Sequence, residues 1–183
     1  MANQIDLDTA HSAILEALKA QFPAFQTVGD YGVFSVKGSN KLKVPAAALY
    51  LASFDSQDSG SIATDQLAIT ARWELRIVLD KRTQDFERQL CKISADVALW
   101  VQGNRFGLPA APAEFMRAEP DQFDPAVVHL SPWVIEFEQT YLLGQSVWDG
   151  SGPVPSAVYV AYEPDTGPEH IDNYEKVNEL PVV

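Results

Sequence analysis

The chain has 183 residues, 46% of them hydrophobic, and a formal net charge of −12. That is enough apolar material for one core with an appendage. The acidity excludes a general nucleic-acid binder, which needs a basic face to displace phosphate counterions, and it disfavours docking on anionic lipid.

Residues 6–22 predict an amphipathic helix. Asp6 or Asp8 caps it; Leu7, Ile14, Leu18 and Phe22 share one face with Leu15 beside them; Pro23 stops it. Two short strands are expected next, Tyr31–Lys37 and Ala46–Phe54, with Gly38-Ser39-Asn40 as the turn between them. Residues 53–66 form a long polar loop with four serines, of a length usually reserved for function or motion. From about 66 to 80 the chain alternates strictly. Leu67, Ile69, Ala71, Trp73, Leu75, Ile77 and Leu79 take one face, and Thr70, Arg72, Glu74, Arg76 and Asp80 the other. A second helix is expected from Thr83 to a left-handed cap at Gly103, with Phe86, Leu90, Ile93, Val97 and Trp100 as its stripe. Within the proline-rich run that follows, Ala113–Ala118 reads as a short edge strand. A second alternating strand covers about 132–143, with Trp133, Ile135, Phe137, Tyr141 and Leu143 on one face and Glu136, Glu138 and Thr140 on the other.

After Gly144 the composition changes. Asp149-Gly150-Ser151-Gly152-Pro153-Val154-Pro155 is a linker signature, and 157–162 suggests one more strand. Residues 150–183 carry six acids against Lys176 alone and cannot bury a core of their own. The expectation is an α+β fold: a mainly antiparallel sheet packed by two helices over 1–149, and an acidic, extended C-terminal arm over 150–183.

Chemistry is sparse. No GxSxG, phosphate-binding loop, HExxH or dinucleotide fingerprint occurs. His11 falls on the apolar face of the first helix and reads as a core-edge histidine. His170, between Glu169 and Asp172, lacks the three or four convergent ligands of a metal site. The lone cysteine, Cys91, cannot form an internal disulfide and lies well off its helix's apolar stripe; a packing or bystander role is expected. Glu136 and Glu138, two apart on one strand face, read as solvated or interface charge, not an acid–base pair. The N-terminus has no signal-peptide pattern, and no run is apolar enough to span a membrane, so a cytosolic site of synthesis and no membrane are expected. No cofactor and no metal are expected.

Interaction surfaces are more plausible. Lys37, Lys41 and Lys43 form the one basic tract, either a solvated turn or a tip that meets an acidic neighbour head to tail. Arg72, Glu74, Arg76, Glu136 and Glu138, on the outward faces of the long strands, are candidate subunit or tube contacts. In the arm, Val158, Tyr159, Val160, Tyr162 and Tyr174 are candidate contacts, because tyrosine suits surfaces that are apolar at one end and wet at the other.

Taken in order, SAILEALKAQFP, the strand WELRIVLD with its following helix, the strand WVIEFEQTYLLG and the tail VYVAYEPDTGPEHIDNYEKV resemble the tail-terminator family of Mu-like phages and prophages. The segment VPAAALYLASFD sits where that family has an apolar strand; the polar loop after it has no counterpart. The resemblance covers most of the chain and implies a structural virion protein with no catalytic turnover. Such a protein assembles in the bacterial cytoplasm as a ring, expected to be a hexamer, and ends in the virion tail. It caps the tail tube, secures the sheath where the tail contracts, and offers a surface for the head or connector. DNA passes its acidic lumen without specific binding. The alternatives are a head–tail stopper or other tail ring protein, an acidic inhibitor that mimics DNA, and, last, an enzyme.

Overall fold

A computed structural model of the protein describes residues 5–30, 32–33, 42–57, 64–121, 130–147 and 157–177. The chain divides into two compact units, Met1–Val147 and Trp148–Val183.

The first unit is built around the two alternating segments. They form strands β3 (Leu67–Asp80) and β5 (Leu130–Leu143), paired antiparallel over their full length with Trp73 opposite Phe137 and Leu75 opposite Ile135. Strand β2 (Ala46–Ser56) pairs antiparallel with β3, and β4 (Glu114–Pro120) antiparallel with β5. A three-residue strand, β1 (Thr27–Gly29), pairs parallel with β2, giving the order β1-β2-β3-β5-β4. The fold is therefore α+β with a mainly antiparallel five-stranded sheet.

Both helices cover the same sheet face. Helix α1 (Leu7–Gln21) starts at Asp6, whose carboxylate accepts from the Thr9 backbone N–H at 2.6 Å; that bond holds the Asp6 pKa below its ordinary value. Ala10, Ile14 and Leu18 are its buried stripe. Helix α2 (Phe86–Val101) begins three residues later than predicted, because Asp85 adopts a left-handed conformation (φ 53°) that a helix cannot include. Its buried stripe is Leu90, Ser94, Val97 and Val101, so Phe86, Ile93 and Trp100 flank it half-buried. Gly103 has φ 79°, and its N–H donates to the Ala113 carbonyl at 2.8 Å, tying the helix end to the start of β4. The core between helices and sheet joins Ile14 and Leu18 to Leu49, Trp73, Leu75, Ile77, Ile135 and Phe137. Phe22, Trp100, Phe106 and Phe137 run through it as edge-on or tilted neighbours 5.2–5.9 Å apart.

The start of the predicted strand 31–37 is instead a turn, since the Val33 N–H donates back to the Asp30 carbonyl at 2.9 Å. Residues 31 and 34–37, with the expected turn at 38–40, lie outside the described residues. The strand expected over 157–162 shortens to β6 (Tyr159–Val160), which pairs antiparallel with β7 (Glu175–Lys176) inside the second unit. A short 3-10 helix, Pro168–Asn173, connects them. None of the described residues of this unit is buried. Among the described residues no helix is long and apolar enough to cross a membrane.

Candidate interaction face

Among the described residues neither helix packs on the second face of the sheet, where Ala46, Ala48, Ala68 and Val78 are nevertheless buried and the charged side chains lie beside them. Strand alternation puts Arg72, Glu74 and Arg76 of β3 there, beside Val134, Glu136 and Glu138 of β5 and Arg117 and Glu119 of β4. The cross-strand register sets Arg72 opposite Glu138, and the guanidinium donates to that carboxylate through Nη2 at 2.7 Å and Nε at 3.0 Å. This hydrogen bond, with the attraction of the same carboxylate, raises the Arg72 pKa.

One step along, the register opposes Glu74 to Glu136, two like charges on adjacent strands, which alone is destabilising. Two arginines resolve the conflict. Arg117, from β4, donates to Glu136 at 2.5 Å and lies 3.1 Å from Glu119. Arg76 donates to Glu74 at 3.2 Å, lies 3.4 Å from Asp121 and stacks its guanidinium 4.9 Å from the Tyr50 ring centroid. The sequence expectation of an exposed Glu136 is corrected here: the residue is only 9% accessible, because Arg117 closes over it. Glu74 and Arg76 are half-buried, while Arg72 keeps about half of its side chain in solvent. Glu74, Arg76, Arg117, Glu119, Pro120, Asp121, Val134 and Glu136 line an open cleft of about 440 Å³ on this face.

Of the basic tract, Lys43 is exposed just ahead of β2, and its carbonyl accepts from the Thr27 hydroxyl at 2.9 Å. Lys37 and Lys41 lie outside the described residues.

The second unit holds the arm residues. Tyr159 and Val160 form β6, and the Val158 carbonyl accepts from the Val177 N–H at 2.8 Å. The Tyr174 hydroxyl accepts from the Gly167 N–H at 2.9 Å, bracing the turn before the 3-10 helix. Tyr159, Gly167, Pro168, Ile171 and Tyr174 line a mostly apolar cleft; Tyr162 projects outward, 81% exposed.

Beneath the helices lies a polar chain that sequence reasoning missed. Trp73 Nε1 donates to the Tyr141 hydroxyl at 3.2 Å, Tyr141 donates to Gln139 Oε1 at 2.5 Å, and Gln139 Nε2 donates to the Ala111 carbonyl at 2.7 Å. All three side chains are at most 1% accessible. Burial pushes the Tyr141 pKa up, outweighing the opposing effect of the Trp73 hydrogen bond, so its hydroxyl is held as a neutral donor. The available signal was Gln139, a polar residue in the apolar phase of β5. Arg117, Glu119 and Asp121 were missed for a different reason: β4 was recognised as a strand, but its register on β5 was not. His11 Nε2 donates to the Leu49 carbonyl at 3.3 Å and its ring tilts against Trp73 at 5.7 Å. Cys91 is exposed. Among the described residues no group of three or more His, Cys, Asp or Glu side chains converges as a metal site would. The sequence matches no family model, and no curated protein matches it.

Proposed function

We propose that the protein is a phage tail terminator: a structural subunit of a ring, of six copies, that caps the tail tube and stops its polymerisation. The single observation that carries this reading is the charged cleft on the sheet face opposite the helices. Two helices bury one face, and the other presents ordered Arg–Glu pairs around an open, charged cleft. Such a face suits a polar, register-specific contact with another protein more than capture of a small apolar ligand. The order of sequence segments described above supports the same reading, as does an acidic second unit that exposes Tyr159, Tyr162 and Ile171.

In this reading the ring sits on the tail tube, holds the sheath where the tail contracts, and meets the connector on its far side. The chain's net charge of −12 keeps passing DNA from sticking to the lumen. The test is deletion in a producing phage. Tails of uncontrolled length, or heads that fail to join, are expected; normal tail lengths with normal joining overturn the proposal.

A further inference from the structure

None of residues 157–177 is buried, yet they hold six of the eleven large apolar side chains that stand exposed among the described residues. Apolar surface that is contiguous and rimmed by polar groups marks an interaction site. Here it is also shaped. Tyr159 of β6, Gly167, Pro168 and Ile171 around the 3-10 helix, and Tyr174 after it line a cleft of about 680 Å³, room for more than one side chain. Internal bonds fix its walls: β6 pairs with β7, and the Tyr174 hydroxyl accepts from the Gly167 N–H at 2.9 Å. The rim is acidic. Glu169, Asp172 and Glu175 directly follow the lining residues Pro168, Ile171 and Tyr174, and all three acids are exposed, as are Glu163 and Asp165. Lys176 is the one lysine or arginine in this stretch, and His170 stands 4.0 Å from Asp165.

We propose that this cleft docks an apolar side chain carried on a basic segment of a different protein. The apolar lining supplies affinity by burying the anchor, and the carboxylates steer and orient the lysines or arginines that flank it. Charge selects the occupant. Residues 1–147 carry 18 acids and 12 lysines or arginines, and residues 148–183 carry seven and one, so either unit of a second copy brings more negative charge to a negative rim. An anionic membrane is disfavoured for the same reason. The inference goes beyond the terminator reading and does not rest on it; under that reading the partner is a tail or connector protein with a basic surface.

The probe is a short fluorescein-labelled peptide of lysines and serines around two central leucines, titrated with the full-length protein and read by anisotropy. One control peptide has serines in place of the leucines; the other has glutamates in place of the lysines. The leucine–lysine peptide should bind. The serine control should bind about tenfold more weakly, as loss of a buried apolar anchor predicts, and the glutamate control should not bind. Ile171→Ser, at a position 68% exposed, should also weaken binding about tenfold. Asp172→Asn with Glu169→Gln should weaken it about threefold and flatten its salt dependence, since less charge is left to screen. Leu99→Ser, at a position 79% exposed on α2, should leave it unchanged. Circular dichroism checks each fold, and Tyr159→Ser probes the same cleft should Ile171→Ser disturb the 3-10 helix.

Absent binding of the leucine–lysine peptide overturns the inference. So does equal binding of the serine control, or binding that survives Ile171→Ser at full strength, because charge alone then holds the peptide. A wild type that dimerises in analytical ultracentrifugation, and that Ile171→Ser renders monomeric, overturns it because a second copy then fills the cleft. A fall in melting temperature on Ile171→Ser overturns it because the cleft is then covered by its own chain. None of these outcomes touches tail-length control, so failure here leaves the terminator reading standing.

Discussion

Replacing Tyr141 by Phe tests whether the buried polar chain under the helices holds the sheet together. The substitution keeps the ring and opens no cavity, so its cost comes from hydrogen bonding. It strands two groups at once: the Trp73 indole N–H loses its acceptor and Gln139 Oε1 loses its donor, in side chains at most 1% accessible. A buried polar group left without a partner costs about 1–3 kcal/mol. The Trp73 bond is long at 3.2 Å, so its loss belongs at the low end, whereas the 2.5 Å bond to Gln139 belongs higher. The expected loss is therefore about 2–4 kcal/mol, read from urea denaturation followed by tryptophan fluorescence with an unchanged denaturant slope. Gln139→Leu strands the Tyr141 hydroxyl and the Ala111 carbonyl and should cost a similar amount. Because the two substitutions break one shared bond, the double variant should lose about 1–2 kcal/mol less than their sum. A Tyr141→Phe loss below about 0.5 kcal/mol, or strict additivity, would refute the reasoning.

The same hydroxyl makes stability fall in alkali. Its folded pKa lies above the unfolded value near 10, so the unfolded chain gives up the proton first and stability declines as pH rises through about 10; Tyr141→Phe should show a shallower decline in pH-resolved denaturation. Arg117→Ala should lower the melting temperature more than Arg82→Ala in differential scanning fluorimetry, because Glu136 also faces Glu74 across the strands and Arg117 offsets that repulsion, whereas Asp80 faces Leu130 in the same register. Gly103→Ala should cost about 1 kcal/mol through its left-handed φ of 79° alone, since a Cβ there meets nothing within 4 Å; no loss in chemical denaturation would contradict that. A chain ending at Val147 should keep the cooperative unfolding of the first unit while losing tube capping; collapse of the folded signal would show that the second unit is needed for the fold.

The long strands were legible because their period leaves little choice: Leu67 to Leu79 alternate without a break, and helices are needed to cover what the odd face buries. The edge strand was legible from the prolines around it. What the sequence did not disclose is what each outward side chain meets. Alternation placed Glu136 on the correct face, but its burial depends on Arg117, nineteen residues earlier, arriving from β4 through a register that a bulge at Met116 shifts. The helix stripes were read to within a few residues; the start of α2 was missed because Asp85 takes a left-handed conformation that the helical periodicity does not register. The partly described stretch before β2 was read as a hairpin, whereas the ordered strand upstream, Thr27–Gly29, runs parallel to β2.

The ladder of charges on the face opposite the helices has a degeneracy. Slide β5 by two residues so that Arg76 meets Glu136. Arg72 then faces Thr140 and Glu74 faces Glu138, which is again one attractive pair, one repulsive pair and one neutral pair. By direct pairing, the outer face cannot tell these two alignments apart. The inner face can: the same slide moves Gln139 from opposite the small Ala71 to opposite Trp73 and unthreads the bonds through Tyr141 to the Ala111 carbonyl. The buried polar chain thus acts as a vernier between β3 and β5, and which charges of those two strands meet in the cleft is tied to a glutamine on the opposite side.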